Sequence, residues 1–190
     1  WNKKIFKHIQ EQVDQSSKDL ADERGACPDA ADYGFKERFS NKTAIAPTAS
    51  ISIICGGASP GVEPVAANSY THKTLSGSYN VRNRYLVELL EKHGKNTEQV
   101  WSGITTNQGS VSHLDFLTDL ERDVFKTAFE LDQKWIIELS GDRTPYISQA
   151  QSINLFLAAD VHKRELHKIH FDAWKKGLKS LYYCRSKSIQ

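Results

Sequence analysis

The chain has 190 residues, 39% of them apolar and 25% charged, with a net charge of +2. So even a balance gives no electrostatic case for nucleic acid or an anionic membrane as partner. The longest apolar runs, at 51–54 and 155–159, fall far short of the ~20 residues a membrane-spanning helix needs, and no secretory leader pattern opens the chain.

Ile5, Ile9, Val13 and Leu20 recur at helical spacing, which predicts an amphipathic helix over 1–24, ended by Gly25 and Pro28. A polar connection over 29–41 follows. The apolar run 43–46 reads as a short buried strand closed by Pro47, and 48–55 as a short helix stopped by Gly56 and Gly57. Residues 56–64 form a loop, and 65–74 hold a further strand. Helices are predicted over 82–93, 98–103 and 118–139. A strand at 152–159 leads into a long helix capped by Asp160 and running to Lys176, and a last strand covers 181–185. Alternating strands and helices make the class α/β with parallel strands.

Three widely spaced cysteines, Cys27, Cys55 and Cys184, read as reduced thiols of a cytoplasmic protein and not as a disulfide framework. The chain opens at Trp1 inside a helical pattern and contains no methionine, so it reads as a portion of something longer.

Three places could carry chemistry. At Pro47, Thr48, Ala49, Ser50, Ile51 and Ser52 a strand turns into a helix, where unpaired N–H groups and the helix dipole favour an anion. The hydroxyls of Thr48, Ser50 and Ser52 could donate to phosphate; the alternative is a plain N-cap at Thr48. Adjacent Tyr182 and Tyr183 suit either packing or redox transfer, in which a phenol loses its proton as the radical forms. Regular strand alternation would put the two rings on opposite faces, so contact between them requires a local irregularity. His162, His167 and His170, with Glu165 or Asp172, could be metal ligands but read better as a solvated helix face, so no metal is assigned. Asp29, Asp32 and Glu37 read as loop caps. No G-x-S-x-G, Walker or GxGxxG pattern occurs.

Several segments taken in order resemble one family. Glu23-Arg24-Gly25-Ala26-Cys27-Pro28 comes first, then Glu37-Arg38-Phe39-Ser40-Asn41-Lys42, the turn from Ala44 to Ser52, and Cys55-Gly56-Gly57-Ala58-Ser59-Pro60-Gly61-Val62-Glu63-Pro64. Ser148-Gln149-Ala150-Gln151-Ser152-Ile153-Asn154 and Gly177-Leu178-Lys179-Ser180-Leu181-Tyr182-Tyr183 follow. This order is similar to the large subunit of class I ribonucleotide reductases and covers nearly the whole chain.

The resemblance implies a ten-stranded α/β barrel, of which residues 1–190 would be one C-terminal region and not a complete domain. It implies that Pro47, Thr48, Ala49, Ser50, Ile51 and Ser52 hold the diphosphate of a ribonucleoside diphosphate. Tyr182 would relay a radical toward the active-site cysteine and Tyr183 toward the radical-generating small subunit. That subunit carries the metal-based radical cofactor; effector sites for ATP and deoxynucleotides lie outside this segment, which binds no cofactor itself. The family's thiyl cysteine, its asparagine and glutamate, and its redox cysteines have no counterparts here, so they come from the rest of the large subunit or from a separate chain. A noncatalytic phosphate-binding or assembly fragment and a B12-dependent reductase are the alternatives.

Overall fold

A computed structural model describes residues 1–186. Along the chain, α1 (Asn2–Arg24) and α2 (Pro28–Asp32) precede α3 (Ala49–Ile54) and the strands β1 (Ser69–Thr74) and β2 (Gly77–Arg82). Helices α4 (Arg84–Lys92), α5 (Glu98–Thr106), α6 (Asp119–Val124) and α7 (Gln133–Arg143) come next. Then follow β3 (Leu155–Leu157), α8 (Lys163–Lys175) and β4 (Cys184–Ser186). The chain divides into two units, one from Trp1–Pro47 with the described part of Gln133–Gln190, the other Thr48–Asp132.

In the first unit, α1 packs on α7, and α7 on α8. Small Ser17 and Ala21, four residues apart, form the buried stripe of α1. The Ser17 hydroxyl accepts the N–H groups of Arg38 (3.1 Å) and Phe39 (3.3 Å), which fixes the 38–39 segment to the helix. Gly25 ends α1 with φ 81°, its N–H bonded to the Ala21 carbonyl. A core of Ile137, Leu155 and Ala173, with Ile169, Leu178 and Leu181 against it, lies where α7, β3 and α8 meet.

The sheet of this unit is parallel. Ile45 bridges Gln151, and β3 pairs with β4 in the register Leu155↔Cys184. Ala150 accepts from the Ile45 N–H and the Ser152 N–H donates back to Ile45, whereas Ile153 and Leu155 bond to the tyrosine segment. Even and odd residues of a strand face opposite edges, so the 150–157 segment lies between the other two. All three residues of β3 are buried, as a parallel strand covered on both faces should be. Only Ile45 of the predicted strand 43–46 pairs, the strand forecast at 152–159 shortens to Leu155–Leu157, and the one forecast at 181–185 is found at Cys184–Ser186.

The second unit has its own core: Leu86 and Leu90 of α4, Trp101 and Ile104 of α5, and Val111, Leu114 and Leu117 beyond. Next to it β1 and β2 form an antiparallel hairpin, Ser69↔Arg82 to Thr74↔Gly77. Parallel pairing was anticipated throughout, so the hairpin corrects that expectation for this unit. β2 was missed because its residues are mostly exposed and show no apolar alternation.

The helix expected over 118–139 is broken into α6, a 3-10 turn at Ala128–Glu130, and α7. Capping boxes open α6, Thr118 with Glu121, and the 3-10 turn, Thr127 with Glu130. The pattern S/T-x-x-E satisfies orphan N–H groups reciprocally and so begins a new helix inside a charged stretch that otherwise looks continuous. The helix after β3 is capped by His162, not Asp160; its Nδ1 accepts the Arg164 N–H at 3.1 Å. α2, in the segment read as a connection, is a single turn started by Pro28 at its first position.

Candidate functional site

The turn into α3 leaves three donors free. Thr48 precedes the helix with φ −120° and ψ 37°, and its own N–H bonds to the Pro60 carbonyl at 2.9 Å. The first donor of the helical ladder is Ser52, bonded to Thr48 at 2.7 Å. The N–H groups of Ala49, Ser50 and Ile51 therefore have no acceptor among the described residues, as the first turn of a helix dictates.

The three hydroxyls divide. Thr48 Oγ1 donates to the Pro60 carbonyl (3.0 Å), and Ser52 Oγ donates to the Ala49 carbonyl (2.8 Å) with its side chain buried. Ser50 is exposed and makes no hydrogen bond within the described residues. The Thr48 bond also ties this turn to the Gly56–Gly57 loop, where both glycines have positive φ.

Tyr182 and Tyr183 touch. Their ring centroids lie 4.2 Å apart with planes tilted by 56°. Both rings are about half exposed, at 49% and 53%. The backbone explains how neighbours reach one another. Tyr182 donates its N–H to Ile153, while Leu155 donates to the carbonyl of Tyr183. In a regular parallel pair a single residue would make both bonds; here two residues do, one more than the facing strand supplies. The extra residue acts as a bulge ahead of β4, and it brings both rings to one flank. The neighbouring Tyr183 phenol holds the pKa of Tyr182 above the ordinary phenol value.

Two cations flank this segment. Arg185 places its guanidinium 5.5 Å from the Tyr183 ring centroid. Lys179 aims its ammonium at the carbonyls of Ile147 (3.1 Å), Ser148 (2.5 Å) and Gln149 (3.4 Å). The Ser148 hydroxyl in turn accepts the N–H groups of Lys42 (2.9 Å) and Thr43 (2.8 Å). The strand leading to Pro47 and the segment leading to Tyr182 are thus tied to the same short stretch. Sequence reasoning did not single out Lys179 or Arg185, whose spacing carries no signal of its own. Ser148 was noticed only as part of a longer motif.

The three histidines do not converge. His162 is the helix cap, His167 stacks on Phe171 with centroids 6.0 Å apart, and the His170 ring bonds to the Leu166 carbonyl. Among the described residues there is no group of three His, Cys, Asp or Glu side chains that could hold a metal. Cys27, Cys55 and Cys184 are free thiols. No described helix is long and apolar enough to cross a membrane.

Comparison with known proteins gives a consistent result. The family profile described as ribonucleotide reductase, barrel domain, matches residues 2–184. The chain is 49% identical over 189 residues to the ribonucleoside-diphosphate reductase large subunit of Invertebrate iridescent virus 6, covering 97% of this chain and 20% of that protein. To the protein of the same name from Invertebrate iridescent virus 3 it is 45% identical, covering 99% of this chain and 30% of that one. Among solved structures, the Actinobacillus ureae class Id ribonucleotide reductase alpha subunit matches with a TM-score of 0.89 and 38% identity. That match covers 98% of this chain and 34% of the other. The chain therefore spans a fifth to a third of the length of these relatives.

Proposed function

The chain belongs to the ribonucleotide reductase barrel-domain family, with an α/β fold that is part of that barrel, and from this premise we propose that it supplies two elements of a radical-based ribonucleotide reductase. One element holds the diphosphate of a ribonucleoside diphosphate. The other relays the radical. Residues 1–190 act as one C-terminal region of the barrel, completed by the rest of the large subunit. The thiyl and redox cysteines come from there, as do the sites for nucleotide effectors. The oxidant comes from a small subunit with a metal-based radical cofactor, and the assembly works in the cytoplasm.

The observation that carries this reading is the contact between Tyr182 and Tyr183. Tyrosines that only fill space need no bulge to bring them together, and half-exposed rings add little to a core. A phenol pair in such contact can pass one electron and one proton together. The Tyr182 O–H bond breaks as that of Tyr183 forms, so no charge is left on either ring. At the α3 turn, the free N–H groups of Ala49, Ser50 and Ile51 and the unengaged Ser50 hydroxyl suit a phosphate, whose charge the helix start favours. Pro47, Thr48 and Ser52 shape the turn. Their parts are indirect, because the Thr48 and Ser52 hydroxyls already serve backbone carbonyls.

The test is phenylalanine at each tyrosine in the full-length large subunit, assembled with its small subunit. Phenylalanine keeps the ring but has no phenol to oxidise. Tyr182→Phe and Tyr183→Phe should each abolish turnover while nucleotide affinity and melting temperature stay near the parent's. Normal turnover in either variant returns the pair to a packing role.

A further inference from the structure

We infer that Arg185 is a positioning residue that makes Tyr183 the harder of the two tyrosines to oxidise, and so drives the radical inward to Tyr182. The inference rests on the relay reading above. Its basis is the geometry of one cation. Arg185 lies two residues after Tyr183, on the same flank of the chain, with its guanidinium carbon 5.5 Å from the ring centroid. Among the described residues no carboxylate pairs with it, and the Tyr183 ring is the contact it makes. Its charge therefore acts on that ring, and no carboxylate among the described residues neutralises it. No cation stands over the ring of Tyr182 among the described residues.

A cation over an aromatic face is attracted by the electron-rich ring. Loss of an electron and a proton leaves a neutral but electron-poor ring, and most of that attraction disappears. The contact thus stabilises the Tyr183 phenol relative to the Tyr183 radical, with no equivalent at Tyr182. The transfer itself is balanced. Tyr182 gives one electron and its phenol proton to the Tyr183 radical, which becomes a phenol, and the Tyr182 radical remains. The one-electron oxidant that first forms the Tyr183 radical is the radical of the small subunit. Arg185 adds nothing to the stoichiometry and only tilts the equilibrium between the two sites.

The experiment uses the full-length large subunit, assembled with its small subunit and supplied with substrate. In a Tyr182→Phe background the radical has no next station, so the yield of Tyr183 radical, read by electron paramagnetic resonance, reports how readily Tyr183 is oxidised. Adding Arg185→Gln should raise that yield by about threefold or more, the scale a cation–π contact supplies at an exposed site. Arg185→Lys keeps a cation and should leave the yield near that of Tyr182→Phe alone. A Tyr183 radical present in equal yield with Arg185 and with Arg185→Gln overturns the inference while leaving the relay intact. Failure to detect any Tyr183 radical, together with normal turnover in Tyr183→Phe, overturns the relay and this inference with it.

Discussion

Ser50→Ala is the sharpest probe of the α3 turn, because the structure separates it from its two neighbours. The Thr48 hydroxyl is bonded to the Pro60 carbonyl and that of Ser52 to the Ala49 carbonyl, while the Ser50 hydroxyl is exposed and unengaged. A hydroxyl donating to a charged acceptor contributes about 1.5–3 kcal/mol, and the exposure of Ser50 argues for the lower end. About 1.5 kcal/mol corresponds to roughly a tenfold weaker Kd. Thr48→Ala removes a bond that the phosphate does not receive, and should change affinity by about twofold or less on the same reasoning.

Ala49→Pro tests the backbone in the same way. Proline is well accepted at the first position of a helix, where the N–H has no partner within the helix, so the substitution deletes a donor with little harm to α3. Thr48 does carry ψ 37°, outside the extended region that a following proline prefers, which adds a local cost. Ala49→Pro should therefore weaken binding more than Ser50→Ala. The assay is equilibrium binding of a ribonucleoside diphosphate to the full-length subunit, with the nucleoside as control. The nucleoside lacks phosphate, so its affinity should be indifferent to both changes. If Ser50→Ala and Ala49→Pro both bind the diphosphate within twofold of the parent, the phosphates lie elsewhere and the reasoning fails.

Two further outcomes test the second unit. Gly109 has φ +83°, and a Cβ there would lie 2.4 Å from the Cβ of Ala67 and 2.9 Å from the Asn68 nitrogen; Gly109→Ala should cost about 2–5 kcal/mol in overpacking and backbone strain, and a loss below about 1 kcal/mol in urea unfolding would refute this. Glu121 has a pKa lowered to about 2 by its hydrogen bond with His93 and by the Thr118 backbone and hydroxyl. A depressed carboxylate stabilises above its unfolded pKa, about 4.3, and that contribution is lost as pH falls through the folded value. Protection of α6 against hydrogen exchange, taken relative to the intrinsic rate at each pH, should fall between about pH 4.3 and pH 2, and Glu121→Gln should remove that pH dependence.

The elements that were legible in the sequence are those whose burial follows a helical period. α4 and α5 carry apolar residues at three- and four-residue spacing, and these are the residues that lie buried; α1 was found from Ile5, Ile9, Val13 and Leu20, yet Ile5 and Ile9 are exposed and its buried stripe is Ser17 and Ala21. β2 was invisible because a hairpin with both faces mostly exposed needs no apolar alternation; its existence depends on pairing with β1. The break between α6 and α7 was legible in principle, since Thr118–Glu121 and Thr127–Glu130 are both written in the chain, but charge alternation hid them. The α3 turn was placed to within a residue from Pro47, Thr48 and the two glycines. Which of its hydroxyls stay free was not, because Pro60 is twelve residues away in sequence and its carbonyl claims Thr48 only in the fold.

The tyrosines show the limit most clearly. Period-two alternation argued against contact between adjacent rings, and that rule holds for a strand in register. Register, however, is a property of two strands. The bonds that break it, Tyr182 to Ile153 and Leu155 to Tyr183, join residues about thirty positions apart and depend on α8 bringing the chain back beside β3. No window around Tyr182 contains that information. A bulge costs a ladder hydrogen bond and local regularity, so it persists where something else is gained. Here the gain is two phenols at 4.2 Å, with Lys179 anchoring the chain three residues before them and Arg185 lying over Tyr183 just after. A simple packing pair would have been served better by the regular strand, which is why the irregularity itself argues for transfer between the two rings.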